Sequence, residues 1–313
     1  MTSSDPPLPA FSVVVPVRDM AGTLPALLDS LRRLDYPAGK LQILIVDNGS
    51  SDPSGRIARG RGFDVIDLPS PTSSYAARNA GCRRATGRWV AFTDADCVVD
   101  SGWLRALASR SGEEELGAVA GEVASVGSGT IISRLMERHG FMRHQVTMHH
   151  KALAAASTAN LAIRRDILER LGGFRDELRH FGDMDLCWRM QIELGAALGY
   201  EPAAIVRHGH RRSWGGLWRQ AVAHGRGVAW MKQAYPEIYR FSAGEQMGRM
   251  GGILRTIASA PLPGTGRPAR DRAAEPLFLS LWYAGMTAGF LMGPAFSCED
   301  RRQGDTRRPS GEA

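Results

Sequence analysis

Residues 89–96, WVAFTDAD, indicate the fold class most directly. Its first four residues are apolar without a polar interruption, which is typical of a strand buried on both faces of a sheet. Asp94 and Asp96 follow almost directly. In sheets of parallel strands, ligands bind beyond the carboxyl ends of the strands. The stretch therefore predicts a buried parallel strand that carries two carboxylates into a binding site.

Three similar segments precede this stretch in the chain. Residues 11–17 and 41–46 are short, apolar and rich in β-branched side chains, and residues 63–68 predict one further strand. Leucines recur at helical spacing over residues 24–34, and a second helix is predicted over residues 75–85. This alternation predicts the α/β class, with a Rossmann-like, mostly parallel sheet and helices on both faces.

Asp47 lies at the end of the second predicted strand, so it should share the sheet edge with Asp94 and Asp96. A carboxylate there can accept a hydrogen bond from a base N–H or a ribose hydroxyl. The alternative is a residue that only forms a turn, since Asn48 and Gly49 follow it. The two interpretations are compatible, because the turn would position the acid. The gathering of acids at one edge predicts the active site.

The two acids of Asp94-Ala95-Asp96 point to a divalent cation. In an extended segment, side chains two residues apart lie on the same side, so both carboxylates can face one hard ion. A nucleotide diphosphate needs such an ion to stabilise it as a leaving group. The alternative is a solvated turn. The position at the end of a buried strand favours a Mg²⁺ or Mn²⁺ site.

A second block, residues 157–200, carries a further pair of acids. Residues 157–163 predict a strand, and the pattern from 186 to 194 is helical. Asp185 is well placed as the N-cap of that helix. Asp183 would then lie in a loop above the sheet, where its carboxylate can act as a general base. In the alternative interpretation, both acids only stabilise the helix N-terminus.

Composition limits the partners and the location. The 313 residues carry a formal charge of +7, which suits phosphate-bearing ligands or an anionic membrane surface. No nucleic-acid recognition motif accompanies the charge, so no nucleic-acid partner is expected. The four cysteines are scattered and the N-terminus has no secretory signal, so the sequence predicts a cytoplasmic location.

Four regions are predicted along the chain. Residues 1–10 form a disordered tail, 11–235 the catalytic domain, 236–297 a helical region, and 298–313 a second disordered tail. The run 277–297 has no charge and is flanked by arginines. It favours association with a membrane surface, such as an inner membrane. The run is also about long enough to span a bilayer, which is an alternative interpretation. A buried packing helix would show the same pattern.

With these residues identified, the chain resembles glycosyltransferase family 2, the inverting enzymes of the GT-A fold, over about residues 11–230. Six motifs occur in the family's order: SVVVPV at 12–17, IVDNGSSD at 45–52, ARNAG at 77–81, FTDAD at 92–96, TANLAIRR with GGF at 158–174, and DMDLCWR at 183–189.

The resemblance implies a role for each candidate residue. Those assigned to nucleotide-sugar binding are Pro16, Val17, Asp47, Arg78 and Asp94. Asp96 would bind the metal, Mg²⁺ or Mn²⁺, together with a downstream histidine, for which His208 is the candidate. The alternative for His208 is an incidental histidine in a basic loop. Asp183 would be the catalytic base.

The implied reaction is transfer of one sugar from a nucleotide-diphosphate donor, a UDP-sugar, to a hydroxyl of a glycan, lipid or small molecule, with inversion. The QxxRW motif of the family's processive members is absent, which favours single-sugar transfer. Two positions depart from the family pattern. Asn48 replaces the second Asp of VDDGS, and Gly182 replaces the Glu that precedes the base.

Two other functions fit parts of the sequence. A nucleotidyltransferase can share a related sheet and paired acids, but residues 18–22 lack the Gly-rich basic loop that such an enzyme carries after its first strand. A non-catalytic module that binds nucleotide or glycan is the other alternative. Gly182 is the feature in its favour.

Overall fold

The computed structural model describes residues 8–126, 129–144, 148, 153–238 and 268–294. Contacts divide the chain into two units, which we describe separately. The first comprises the chain up to Val126 and Gly140–Gly209, and the second comprises Gly127–His139 and the chain from His210 onward. The predicted boundary at residue 235 stays a prediction, and the predicted tail 298–313 lies outside the described residues.

The first unit is an α/β sheet with flanking helices. Its strands are β1 (Phe11–Val17), β2 (Leu41–Asp47), β3 (Asp64–Asp67), β4 (Trp89–Phe92), β5 (Cys97–Val99), β6 (Leu116–Val126), β7 (Leu161–Arg164) and β8 (Ala197–Gly209). Its helices are α1 (Leu24–Arg32), α2 (Ser54–Gly60), α3 (Ser74–Arg84), α4 (Trp103–Ser109), α6 (Arg165–Leu171) and α7 (Gly182–Leu194).

The strand order is β3-β2-β1-β4-β7-β6-β8-β5. β1, β2, β3 and β4 run parallel, and β6 is parallel to β8. β7 is antiparallel to both its neighbours, β4 and β6, which precede it in the chain. The predicted α/β sheet and its first four strands are confirmed. The parallel group places the carboxyl ends of β1, β2 and β4 at one edge.

Burial on both faces explains why the first strands are uniformly apolar. Val13, Val14 and Val15 of β1 are all fully buried, although successive side chains point to opposite faces. On one face, the leucine row of α1 packs into the same core as Val13 and Val15. Full burial of one such side chain contributes about 1.5–3 kcal/mol. The strands that end at the acids are therefore anchored in the core.

Two predicted boundaries in the second block are wrong. The strand expected at 157–163 begins only at Leu161. The buried amide of Asn160 instead donates to the carbonyls of Glu122 and Ala204, both at 2.8 Å, which links β6 and β8 where their register shifts. Helix α7 begins at Gly182, four residues before the expected start, and its N-cap is Phe181.

The second unit contains α5 (Ile131–Arg138), α8 (Trp214–Ala234) and α9 (Ala269–Leu291). Arg134 of α5 binds Asp271 of α9 through two hydrogen bonds of 2.6 and 2.8 Å. Most of the predicted apolar run 277–297 lies on α9, and residues 295–297 lie outside the described part. No helix in the described ranges combines the length and apolar character needed to cross a membrane.

Glycines allow α8 and α9 to approach closely. A Cβ atom at Gly225 would overlap the carbonyl oxygen of Met286, and one at Gly289 would overlap that of Val222. Backbone atoms cannot rotate away as a side-chain end can. The apolar run is therefore a packing face of α9, at least at these positions, while its predicted membrane role stays a prediction.

Replacing Gly225 with alanine should lower the free energy of unfolding by about 1–3 kcal/mol, because the added methyl group forces the two helices apart. Urea denaturation followed by circular dichroism measures this change. The matched control is Gly215→Ala on the same helix, where a Cβ meets nothing closer than 3.6 Å. Equal stability of the two variants would contradict the packing of α8 against α9.

Candidate active site

The nucleotide-facing candidates from β1 and β2 lie at adjacent strand ends. Val17 and Asp47 are paired in the parallel register, and the N–H of Asn48 donates to the carbonyl oxygen of Val17 at 2.8 Å. Pro16 precedes Val17 and is half-buried. The structure thus brings Pro16, Val17 and Asp47 to one corner of the sheet edge.

The carboxylate of Asp47 is fixed from two sides. Its Oδ1 accepts a hydrogen bond from the N–H of Ser50 at 2.9 Å. Its Oδ2 lies so close to Gly55 that a Cβ atom there would overlap it. The turn interpretation and the site interpretation of Asp47 are thus compatible, because the turn holds the acid in place.

The contacts of Asn48 explain the first departure from the family pattern, which has aspartate at this position. Its Nδ2 donates to the carbonyl oxygen of Thr72 at 3.0 Å, and its Oδ1 accepts from the N–H and hydroxyl of Thr72 at 2.8 and 2.9 Å. Asn48 is only 4% exposed. An ionised aspartate has no donor for the Thr72 carbonyl, so the amide closes the β2 loop onto the segment before α3.

Arg78 and Asp94 form an ion pair beside this corner. Arg78 lies on α3, its side chain is 5% exposed, and its Nη2 donates to Oδ1 of Asp94 at 2.5 Å. Asp94 is more open, with 29% of its side chain exposed. The guanidinium therefore orients one carboxylate oxygen of Asp94 and leaves the remainder of that carboxylate accessible.

The segment around Asp96 is a turn, not the extended strand that was expected. The N–H of Cys97 donates to the carbonyl oxygen of Asp94 at 3.0 Å, which closes the turn after β4. The two acids consequently have different partners. Asp96 lies with Oδ1 at 3.3 Å from Nε2 of His208, because β5 and β8 pair Cys97 with His208.

Asp96 and His208 are suited to a divalent cation. Their ligand atoms and the thiol of Cys97 lie within 4.8 Å of one another. Burial raises the pKa of the Cys97 thiol well above its ordinary value. A soft sulfur ligand also suits Mg²⁺ and Mn²⁺ less well than oxygen ligands do. A carboxylate and an imidazole are both common ligands of divalent cations, so Asp96 and His208 are the candidate pair.

Asp183 lies in the first turn of α7 and is held by three donors. Its Oδ1 accepts from the hydroxyl of Tyr75 at 3.2 Å and from the N–H of Met184 at 3.0 Å. Its Oδ2 accepts from the N–H of Thr158 at 3.3 Å. Burial raises the pKa of the Asp183 carboxyl above its ordinary value, while the charge of Arg78 acts in the opposite direction.

Sequence reasoning missed Tyr75, although a signal was present. Tyr75 lies three residues before Arg78 on α3, and residues at that spacing share one helix face. Tyr75 is 6% exposed and stacks on Phe174 with ring centroids 5.5 Å apart. A buried tyrosine hydroxyl needs a polar partner, and here the partner is the candidate base.

Asp185 is not the N-cap that the sequence suggested. It is fully buried inside α7 and forms ion pairs with Arg175 at 3.1 Å and with Arg189 at 2.9 Å. Arg189 also donates to the carbonyl oxygens of Leu171 and Gly173. The N-cap prediction is wrong because these two arginines draw the carboxylate into the protein. Asp183 and Asp185 are thereby separated, since only Asp183 faces the sheet edge.

Comparison with known proteins identifies the family. The family model described as glycosyl transferase family 2 matches residues 12–172. The chain belongs to glycosyl transferase family 2. The pre-mycofactocin glycosyltransferase of Mycobacterium tuberculosis is 34% identical over 215 residues, 65% of this chain and 44% of the relative. Glycosyltransferase AglE of Haloferax volcanii is 30% identical over 240 residues, 74% of this chain and 76% of the relative.

Two solved structures share the fold of this chain. The mannosyltransferase PcManGT of Pyrobaculum calidifontis, solved with GDP-Man and Mn²⁺, matches with a TM-score of 0.59 at 19% identity. The match covers 96% of this chain and 79% of that structure. TarS of S. aureus, residues 1–349 with UDP-GlcNAc, matches with a TM-score of 0.50 at 17% identity, covering 94% and 92%. The expected GT-A fold is confirmed.

Proposed function

We propose that this protein transfers a single sugar from a nucleotide-diphosphate sugar, a UDP-sugar, to an acceptor hydroxyl with inversion at the anomeric carbon. The observation that carries the proposal is Asp183, a carboxylate with a raised pKa held at the sheet edge by Tyr75 and Thr158. A carboxyl whose pKa lies nearer neutrality is a more effective general base. The family and the nucleotide sugars bound by PcManGT and TarS support the same reaction class.

The donor is held by the corner of the sheet formed by β1, β2 and β4. Pro16 and Val17 line the nucleobase pocket, and Asp47 accepts a hydrogen bond from a base N–H or a ribose hydroxyl. Asp94 accepts from the ribose, because Arg78 fixes its orientation. Arg78 therefore acts on the donor through Asp94, since its own side chain is buried.

Asp183 carries the proton transfer. Its carboxylate takes the proton of the acceptor hydroxyl as the acceptor oxygen forms a bond to C1 of the sugar. The bond between C1 and the diphosphate oxygen breaks on the opposite face, and the nucleoside diphosphate leaves with the electron pair. Attack from the face opposite the leaving group inverts the anomeric centre, and no covalent bond to the protein forms.

Asp96 and His208 would hold Mg²⁺ or Mn²⁺. When bound, such a cation supplies positive charge that stabilises the diphosphate as a leaving group. The mycobacterial relative is more than twice as long as the stretch that this chain matches, so the acceptor is proposed only as a class. That class is a hydroxyl-bearing glycan, lipid or small molecule, with a membrane surface as a further proposed partner through residues 277–297.

Slow donor hydrolysis, with water in place of the acceptor, tests this function without knowledge of the acceptor. We expect the protein with Mn²⁺ to release nucleoside diphosphate from one member of a panel of UDP-, GDP- and dTDP-sugars. A thermal shift with the same panel should single out that donor, because binding stabilises the folded state. A donor that binds without any hydrolysis or transfer would instead support the non-catalytic module.

Removal of the metal site should have a large effect on transfer. Asp96→Ala removes a carboxylate ligand, and we expect it to lower kcat by about a thousandfold, as should chelation with EDTA. Initial rates with added Mn²⁺ measure the effect. The matched control is Asp64→Ala, an exposed acid at the start of β3. Full activity in excess EDTA would refute the metal assignment.

A further inference from the structure

The absence of a side chain at residue 182 has a structural reason. A Cβ atom built on Gly182 would lie only 2.7–2.9 Å from three ring atoms of Tyr75. The backbone at Gly182 does not require glycine, since its φ is not among the positive values of the described residues. The residue at this position is therefore limited by the tyrosine ring and not by the turn of the chain.

The ring of Tyr75 cannot easily move away. It is buried, with 6% exposure, and stacks on Phe174 at an interplanar angle of 24°. Phe174 is itself fixed by Asn79, whose side chain bonds both its N–H and its carbonyl oxygen, at 2.9 and 2.7 Å. On the remaining side, the guanidinium carbon of Arg78 lies 5.5 Å from the ring centroid. Even one added carbon at residue 182 would therefore disturb this packing.

The position of the ring determines what its hydroxyl can reach. Over Gly182 the ring lies directly against the first turn of α7, and its hydroxyl donates to Oδ1 of Asp183 at 3.2 Å. Burial raises the pKa of Tyr75 well above its ordinary value, so the phenol remains a donor throughout the range in which the enzyme is assayed. The hydrogen bond fixes one carboxylate oxygen and so defines the orientation of the Asp183 side chain.

We propose that Tyr75 is the positioning residue of the Asp183 base, and that glycine is required at residue 182 to admit the Tyr75 ring. The pair replaces the acid that the family pattern places before the base, so Gly182 does not indicate a loss of catalysis. This inference rests on the proposed function of Asp183. The two residues should consequently act as one unit when they are mutated.

The pair should also influence the pH dependence of the reaction. Among the described residues, the groups that act on the Asp183 carboxyl are Tyr75 and Arg78 from α3, the N–H of Thr158 before β7, and the N–H of Met184 and the thiol of Cys187 on its own helix. A hydrogen bond from the Tyr75 hydroxyl favours the ionised carboxylate. Its loss should raise the pKa of Asp183 further, so that the base becomes protonated at a higher pH.

The first test is Tyr75→Phe, which keeps the ring and removes the hydroxyl. In donor hydrolysis with Mn²⁺ and the donor found in the panel screen, we expect kcat at neutral pH to fall about tenfold, the equivalent of one hydrogen bond to a charged group. KM for the donor should not change. The acid limb of the pH profile of kcat should move to a pH about one unit higher.

The matched control is Tyr36→Phe. The Tyr36 hydroxyl is also largely buried and donates to the carbonyl oxygen of Pro9, at 2.5 Å and away from the sheet edge that carries the acids. Its loss should lower stability without moving the pH profile. If Tyr75→Phe keeps both the wild-type kcat and the wild-type acid limb, Tyr75 does not position the base.

The second test is a double-mutant cycle between residues 75 and 182. Gly182→Ala in the wild-type background should lower kcat by at least about tenfold, because its methyl group displaces the ring. In the Tyr75→Ala background the space is open, and Gly182→Ala should change kcat less than about twofold. Equal effects of Gly182→Ala in both backgrounds would overturn the proposed coupling.

The outcomes separate this inference from the function on which it rests. Wild-type protein that neither hydrolyses nor transfers any donor of the panel refutes the proposed function. In that case the coupling is still measured by the free energy of unfolding of the same four proteins. Gly182→Ala should destabilise the Tyr75 protein by more than the Tyr75→Ala protein. Additive stabilities would overturn the steric part of the inference.

Discussion

Replacing Asp183 with asparagine should lower kcat for sugar transfer by about a thousandfold, within the range that general bases contribute. The amide has the shape of the carboxylate, and its oxygen can still accept from the Tyr75 hydroxyl and the N–H of Met184. Its NH2 group cannot accept from the N–H of Thr158, and the amide cannot take a proton from the acceptor. Donor affinity should stay within about twofold, because the nucleotide corner at Asp47 and Asp94 is unchanged. Initial rates and calorimetric donor titration measure the two quantities.

Stability gives the Asp183 experiment a second readout. Burial raises the folded-state pKa of Asp183, so its protonated form is the one that folding favours. At neutral pH the ionised group therefore lowers stability, which offsets the hydrogen bond from Thr158 that the amide cannot accept. The free energy of unfolding should change by less than about 1.5 kcal/mol. Glu193→Gln, an exposed acid on α7, is the matched control for rate. An active Asp183→Asn enzyme would show that another group is the base.

Replacing Asp185 with alanine should lower the free energy of unfolding by about 3–5 kcal/mol, because removal of one partner from a buried ion pair leaves the other charges uncompensated. Arg189 is 7% exposed, and among the described residues it would keep its bonds to the carbonyls of Leu171 and Gly173. This expectation exceeds the loss of about 1 kcal/mol that an N-cap residue would give. Urea denaturation distinguishes the two values.

Asp185→Asn extends the comparison, since asparagine is as good an N-cap as aspartate but carries no charge. The substitution should leave the free energy of unfolding nearly unchanged if Asp185 is an N-cap. It should lower that free energy clearly if Asp185 belongs to a buried ion pair. The control is Asp166→Ala, an acid in the first turn of α6 whose pair with Arg164 is half exposed, for which a change under about 1 kcal/mol is expected. A mild Asp185→Asn variant would contradict the buried pair.

The first four strands could be predicted because of how they are buried. β1 and β4 are covered on both faces, so every residue of WVAF must be apolar, and such runs are easily recognised. β6 reads LGAVAGEVASV, and its small residues have weak preference for strands. It forms a strand because β7 and β8 pair with it, which local sequence does not reveal.

In the candidate site, too, local sequence predicts some features, while others depend on residues distant in the chain. Strand ends place Asp47 and Asp94 at the sheet edge, and this position follows from the sequence pattern. Which side chain each acid contacts does not follow, because the partners are distant in the chain. Tyr75 and Asp183 are separated by 108 residues. The role of Asp185 likewise depends on Arg175 across a turn, so the local pattern of an N-cap was misleading.

The place of β7 in the sheet has a consequence for synthesis of the protein on the ribosome. β7 (Leu161–Arg164) lies between β4 and β6, although both are made before it. Until residue 164 has left the ribosome, the outer edge of β4 has no partner, and its WVAF sequence is an exposed apolar strand edge. Such edges invite pairing between nascent chains. Nascent chains are thus open to such pairing between synthesis of β4 and of β7, and slower translation there would lengthen the exposure.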